Sequence, residues 1–130
     1  MIAFRTPTDA LDFARDFAIE TGVLYIGIRV GINSGQVEIR DNDIYGLNVN
    51  LTARILHSIR AEGIRVSSSI KEDYERARGT SSEVVFRKTE IELASFGRKT
   101  LWDVDIEDLQ GHADYRNDLL ETGISPEDRW

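Results

Sequence analysis

The chain has 130 residues, of which 41% are hydrophobic and 30% charged; its net charge is −7 and it has no cysteine. That length suits one small domain able to bury a core unaided. Without cysteine there are no disulfides, thiolate metal sites or thiol nucleophiles, the acidic balance opposes a nucleic-acid backbone, and no run of about 18 apolar residues offers a membrane span. The opening MIAFRTPTDA is too briefly apolar and too soon acidic for a secretory signal, so a cytoplasmic location is expected.

Ile2 to Phe4 has a strand-like pattern. Thr6-Pro7-Thr8-Asp9 then signals a helix start: Thr6 can cap, Pro7 suits the first helical position, and Asp9 sits where a capping box places its acid. Ala10, Leu11, Ala14, Phe17 and Ala18 recur at helical spacing and form one apolar face, with Gly22 as the stop. Ile26, Ile28, Val30 and Ile32 alternate, Asn33-Ser34-Gly35 has turn chemistry, and Val37 and Ile39 alternate beyond it, so a β-hairpin is expected here. A polar loop at 41–43 leads to a helix over about 46–61, closed by Glu62-Gly63. A short strand at 64–67 and a helix at 68–78 come next. Two strands, 84–93 and 99–106, are joined at Phe96-Gly97-Arg98. Residues 107–130 form an acidic tail, expected to be helical around Tyr115 to Leu120. Mixed helices and antiparallel strands predict an α+β sandwich over residues 1–106, with helices packed on one mostly antiparallel sheet.

The segment DNDIYGLNVNLTARIL, residues 41–56, holds the candidate chemistry. Asn50 and Arg54 are four apart on a predicted helix and share one face. Asn is a poor mid-helix residue, because its side chain competes for backbone hydrogen bonds. An amide can hold a hydroxyl or ring oxygen of a ligand, and the guanidinium fork fits phosphate oxygens. Asp43, just upstream, could accept from the exocyclic amine of a base. On spacing alone the ordinary reading is three solvent-facing polar residues. His57 and His112 have no second ligand pattern nearby, so no metal site is expected at either.

The stretch IRVGINSGQVEIRDNDIYGLNVNLTARIL resembles the core of class III adenylate and guanylate cyclase domains, through Arg29, Gly31, Ile32 and Gly35, then Asp43, Tyr45, Gly46, Val49, Asn50 and Arg54. IRVSSSIKEDY and VVFRKTEIELASFGRKTLWDV are similar to that family's later strand–helix passage and closing hairpin. The resemblance implies a ferredoxin-like cyclase-type sandwich. It also implies a reaction in which the ribose 3′-hydroxyl of a nucleoside triphosphate attacks the α-phosphate and pyrophosphate leaves. Under it Asn50 would orient the ribose, Arg54 would stabilise charge on the α-phosphate, and Asp43, with the backbone at Ile44, would meet the base.

The departures from the family are specific. Its members hold Mg²⁺ or Mn²⁺ with two aspartates, one on the domain's first strand and one in a Gly-Asp turn before the strand matched by Ile2 to Phe4; this chain contains neither segment, nor the usual base-selecting Lys. Asp9 and Asp12 belong to the following helix and cannot substitute. Leu47 stands where many members have Asp, and Ala94 where many have Lys; Arg98 or Lys99 would have to compensate. The expectation is therefore a cyclase-like domain lacking its first strand and its metal ligands, inactive alone, and paired as a homodimer or heterodimer with another cyclase domain. A non-catalytic dimerisation or regulatory module, or a fragment of an active cyclase, is the alternative, and ATP versus GTP stays open.

Overall fold

The computed structural model describes residues 1–23, 27–79 and 84–106. Ile26, His112 and the tail helix expected near Tyr115 lie outside the described residues.

Helix α1 spans Pro7–Val23. Thr6 starts it as its chemistry predicts: the Oγ1 accepts the Asp9 N–H at 3.1 Å. Leu11, Ala14 and Ala18 are buried, which fixes the inward face. Phe17 is a correction to the predicted stripe. It stays 46% exposed and stacks on Phe13, which in turn meets Phe4. The helix also runs one residue past Gly22 rather than stopping there.

The strands are β1 (Arg29–Ile32), β2 (Glu38–Arg40), β3 (Asp43–Tyr45), β4 (Gly63–Ser67), β5 (Val84–Leu93) and β6 (Gly97–Ile106); α2 covers Leu47–His57 and α3 Ser68–Arg78. Four strands form the main sheet in the order β1-β4-β6-β5, and β2-β3 form a separate pair. The β1–β4 pair is parallel, with Arg29 opposite Gly63, and the other pairs are antiparallel.

Two expectations fail here. Residues 1–4 are not a strand. The predicted hairpin does not fold at Asn33-Ser34-Gly35; it folds one segment later, at Asp41-Asn42. Both turn residues have positive φ (51° and 63°), and Arg40 faces Asp43 across them. That is a two-residue turn whose twist suits a hairpin, and Asp and Asn tolerate the left-handed region better than most residues. Around Ser34 the chain is instead held by side chains. The Ser34 and Ser69 hydroxyls lie 2.9 Å apart, and Asn48 Nδ2 donates to the Gln36 carbonyl at 2.9 Å. Helix α2 is also shorter than predicted, since Ser58 rather than Ala61 closes it.

Alternation along the strands sends side chains to two faces. One face carries Ile32, Ile64, Val66 and Val104, which pack with Leu11, Ala14 and Ala18 of α1 and Ile70 and Tyr74 of α3. On the other, Leu93 and Leu101 meet Ile55 of α2. The sheet is thus sandwiched between α1 with α3 and α2. Arg65 clamps α2 from that second face: its Nε donates to Asp103 Oδ1 at 2.7 Å and its Nη1 to the Ser58 carbonyl at 2.9 Å. Trp102 packs against the first core, its Nε1 donating to Ser68 Oγ at 3.0 Å.

Tyr74 joins α3 to α1 by donating its hydroxyl to Asp12 Oδ1 at 3.1 Å. Burial first, then the Asp12 hydrogen bond and charge, raise its pKa above the ordinary phenol value. The unfolded chain's Tyr74 therefore ionises first. This contribution to stability is complete below the ordinary value near 10 and is lost as pH rises through the folded one. Tyr74→Phe should cost about 1 kcal/mol at neutral pH. It should also lose less stability than the native chain as the pH rises past the ordinary phenol value near 10, as read from urea midpoints at each pH.

Candidate functional site

Helix α2 positions the candidate residues because its faces are allotted unequally. Ile55 is fully buried, Leu51 packs against the second core, and Thr52 is half-buried with its hydroxyl donating to the Asn48 carbonyl. Asn50 and Arg54 lie on the remaining face, exposed, one turn apart. Neither side chain has a hydrogen bond or ion pair among the described residues. Four residues of rise separate them by about 6 Å along the axis, a span on the scale of a ribose and its first phosphate.

Gly46 makes the approach to this helix. Its φ of 131° lies where side chains rarely go, and its carbonyl accepts the Asn50 N–H at 3.2 Å, starting the helix one residue after β3. Asp43 opens β3 and is exposed; its Oδ1 accepts the Ile44 N–H at 2.8 Å, which fixes the carboxylate beside the strand. Ile44 is half-buried opposite Ile39. The hairpin and α2 are in contact, so Asp43, Ile44, Asn50 and Arg54 belong to one continuous piece, β3–Gly46–α2.

Two features of this region were not legible as site features in the sequence. Asn48, between Ile44 and Asn50, ties α2 to the 33–37 segment through the Gln36 carbonyl. The other is a groove of about 620 Å³ that runs along β1 from Phe13 and Phe17 of α1 to Val49, Ala53 and Leu56 of α2. Ile44 lines it; Asn50 and Arg54 do not. The polar pair and the apolar groove are therefore separate surfaces on two sides of the same helix.

At the closing hairpin, Arg98 is engaged across the strands by Glu90 at 2.9 Å, and that hydrogen bond holds the Glu90 carboxyl below its ordinary value. Among the described residues no three His, Asp or Glu side chains converge on one point. Asp12 is taken up by Tyr74 and Arg78.

Against solved structures the architecture has clear counterparts. The chain is similar to the catalytic core of a rhodopsin-guanylyl cyclase with converted specificity in complex with ATPαS, at 21% identity and a TM-score of 0.56, over 73% of this chain and 57% of that one. It is also similar to the guanylate cyclase domain of RhGC from Catenaria anguillulae in complex with GTP, at 19% identity and a TM-score of 0.50, over 75% of this chain and 58% of that one. No family model and no curated protein sequence matches the chain. The fold is thus that of a nucleotide cyclase catalytic domain, and the chain spans a little over half the length of these solved cyclase chains. No helix among the described residues is long and apolar enough to cross a membrane.

Proposed function

We propose that this chain is the nucleotide-gripping half of a class III nucleotide cyclase site, completed by a partner domain that brings the metal-binding carboxylates. The observation that carries this reading is the unengaged Asn50–Arg54 face of α2 in a cyclase fold, placed directly after Asp43 and Ile44. Both solved counterparts are nucleotide-bound, one with ATPαS and the other with GTP.

In the reaction proposed, the 3′-oxygen of the ribose forms a bond to the α-phosphorus, the bond from that phosphorus to the pyrophosphate oxygen breaks, and the hydroxyl proton leaves to a base outside this chain. Asn50 donates to or accepts from the ribose and fixes the direction of attack. Arg54 offers two parallel N–H donors to the α-phosphate as charge gathers there, which is the larger part of phosphoryl-transfer catalysis. Asp43 keeps its second oxygen for an exocyclic amine of the base. No step is assigned to a metal held by this chain, whose described residues bring no three His, Asp or Glu side chains together.

The test is complementation. The chain is mixed with a metal-bearing cyclase domain whose own Asn–Arg pair has been removed, and cyclic nucleotide is measured from ATP and from GTP with Mg²⁺ or Mn²⁺. Product from the mixture and none from either component is the expected result. A stable mixed dimer without product would overturn the catalytic reading in favour of a non-catalytic dimerisation module.

A further inference from the structure

The β2–β3 hairpin is not part of the main sheet. Its first strand is exposed at every residue, and of β3 only Ile44 is half-buried, so core burial does little to fix where the hairpin stands. Toward α2 it ends at Gly46, a single residue between β3 and the helix. Gly46 has no side chain to pack, and its φ of 131° lies in a region that glycine enters freely. A hairpin hung from that joint alone would swing about it and carry Asp43 along.

A second attachment opposes that motion. Asn48, in the first turn of α2, donates its Nδ2 to the carbonyl of Gln36, two residues before β2 begins, at 2.9 Å. The Asn48 amide lies so close to Gly35 that a Cβ there would stand 2.6 Å from Asn48 Oδ1. The other end of this segment is held to α3, where the Ser34 and Ser69 hydroxyls lie 2.9 Å apart. Both ends of the hairpin are thus fastened to one helical turn, through the backbone at Gly46 and through the Asn48 side chain at Gln36. Two attachments restrain a rotation that one leaves open.

We propose that Asn48 is a positioning residue: its hydrogen bond to Gln36 braces the β2–β3 hairpin against α2 and so sets where Asp43 stands relative to Asn50 and Arg54. What that placement serves rests on the nucleotide reading above, in which Asp43 meets the base while Asn50 and Arg54 meet the ribose and the α-phosphate. A contact to the base is made equally before and during the reaction, so weakening it raises KM and leaves kcat alone.

Asn48→Ala tests the brace. Alanine is the better helix former, so α2 itself is not weakened. Residual dipolar couplings of the hairpin and α2 amides, in the chain alone, give the first readout. The native hairpin and helix should fit one common orientation, and in Asn48→Ala the hairpin couplings should shrink and depart from it. Asn48→Asp should do the same, because it keeps the size and sets an oxygen against the Gln36 carbonyl. A hairpin that stays aligned with α2 in either variant would overturn the proposal, whatever the kinetics show. The second readout is the complemented reaction. Asn48→Ala should raise KM for the nucleotide about 3- to 10-fold, the scale of one hydrogen bond's net contribution, with kcat within about twofold of native. It should add nothing further in a chain already carrying Asp43→Ala. An equal rise in KM without the Asp43 carboxylate would overturn the proposal, because Asn48 would then act by another route. A native mixture that makes no product strikes the nucleotide reading instead, and the dipolar couplings still decide the brace.

Discussion

Arg54→Ala should lower complemented cyclase activity by about 10²–10³-fold while leaving the chain's stability within about 0.5 kcal/mol of native. The two halves of this expectation come from the same fact. Arg54 is exposed and makes no hydrogen bond or ion pair among the described residues, so its removal opens no cavity and leaves no partner unsatisfied. On the proposed reading, what is lost is a cation for the charge that develops only as the α-phosphate reacts. Arg54→Lys should recover part of the rate, since the charge returns without the two-pronged geometry. The measurement is initial rate at saturating nucleotide in the mixed system, with urea midpoints of each variant alongside. An undiminished rate in Arg54→Ala would sink the assignment of this helix face to the nucleotide.

Gly31→Ala should destabilise the chain by about 1–3 kcal/mol, a large effect for one methyl group. A Cβ built at Gly31 would stand 2.8 Å from the Leu56 backbone nitrogen and 3.0 Å from its Cα. These are atoms of a helix backbone, not the movable end of a side chain. Helix α2 would have to lift from β1, and Ile55 and the Arg65 clamp to Ser58 and Asp103 would be loosened with it. Because α2 carries Asn50 and Arg54, the same substitution should also reduce complemented activity, unlike Arg54→Ala with a fall in the urea midpoint. A midpoint unchanged from native would mean that the helix does not sit on the strand as closely as the structure places it.

The sequence revealed most where one local signal had one reading. Thr6-Pro7-Thr8-Asp9 located the start of α1, the serines at 67–69 located α3, and the alternation of residues 84–93 and 99–106 located the closing hairpin. Its reading of residues 26–39 failed because alternation shows that a strand is half-buried and not which strand it pairs with. Val30 and Ile32 alternate to face α1, but their partner is β4, some thirty residues on, in a parallel pair. Asp41-Asn42 was read as a plain loop, although both residue types tolerate the left-handed backbone that the true turn requires. Asn50, Arg54 and Asp43 could be picked out because they are polar residues in a helical or loop setting with a family resemblance around them. The groove could not, because it is made by α1, β1 and α2 together and has no local pattern of its own.

The parallel pairing of β1 with β4 also sets an order of events when the chain folds. The β5–β6 pair is local, ten residues against ten across a turn of three, and closing it costs little chain entropy. Joining β1 to β4 must gather in everything between Ile32 and Gly63, including the small hairpin and α2. Non-local contacts of this kind slow folding. The β5–β6 ribbon is therefore expected to form early and to serve as the template on which β4 and then β1 assemble. The segment carrying Asp43, Asn50 and Arg54 reaches its final position in the last stage, when that long loop closes.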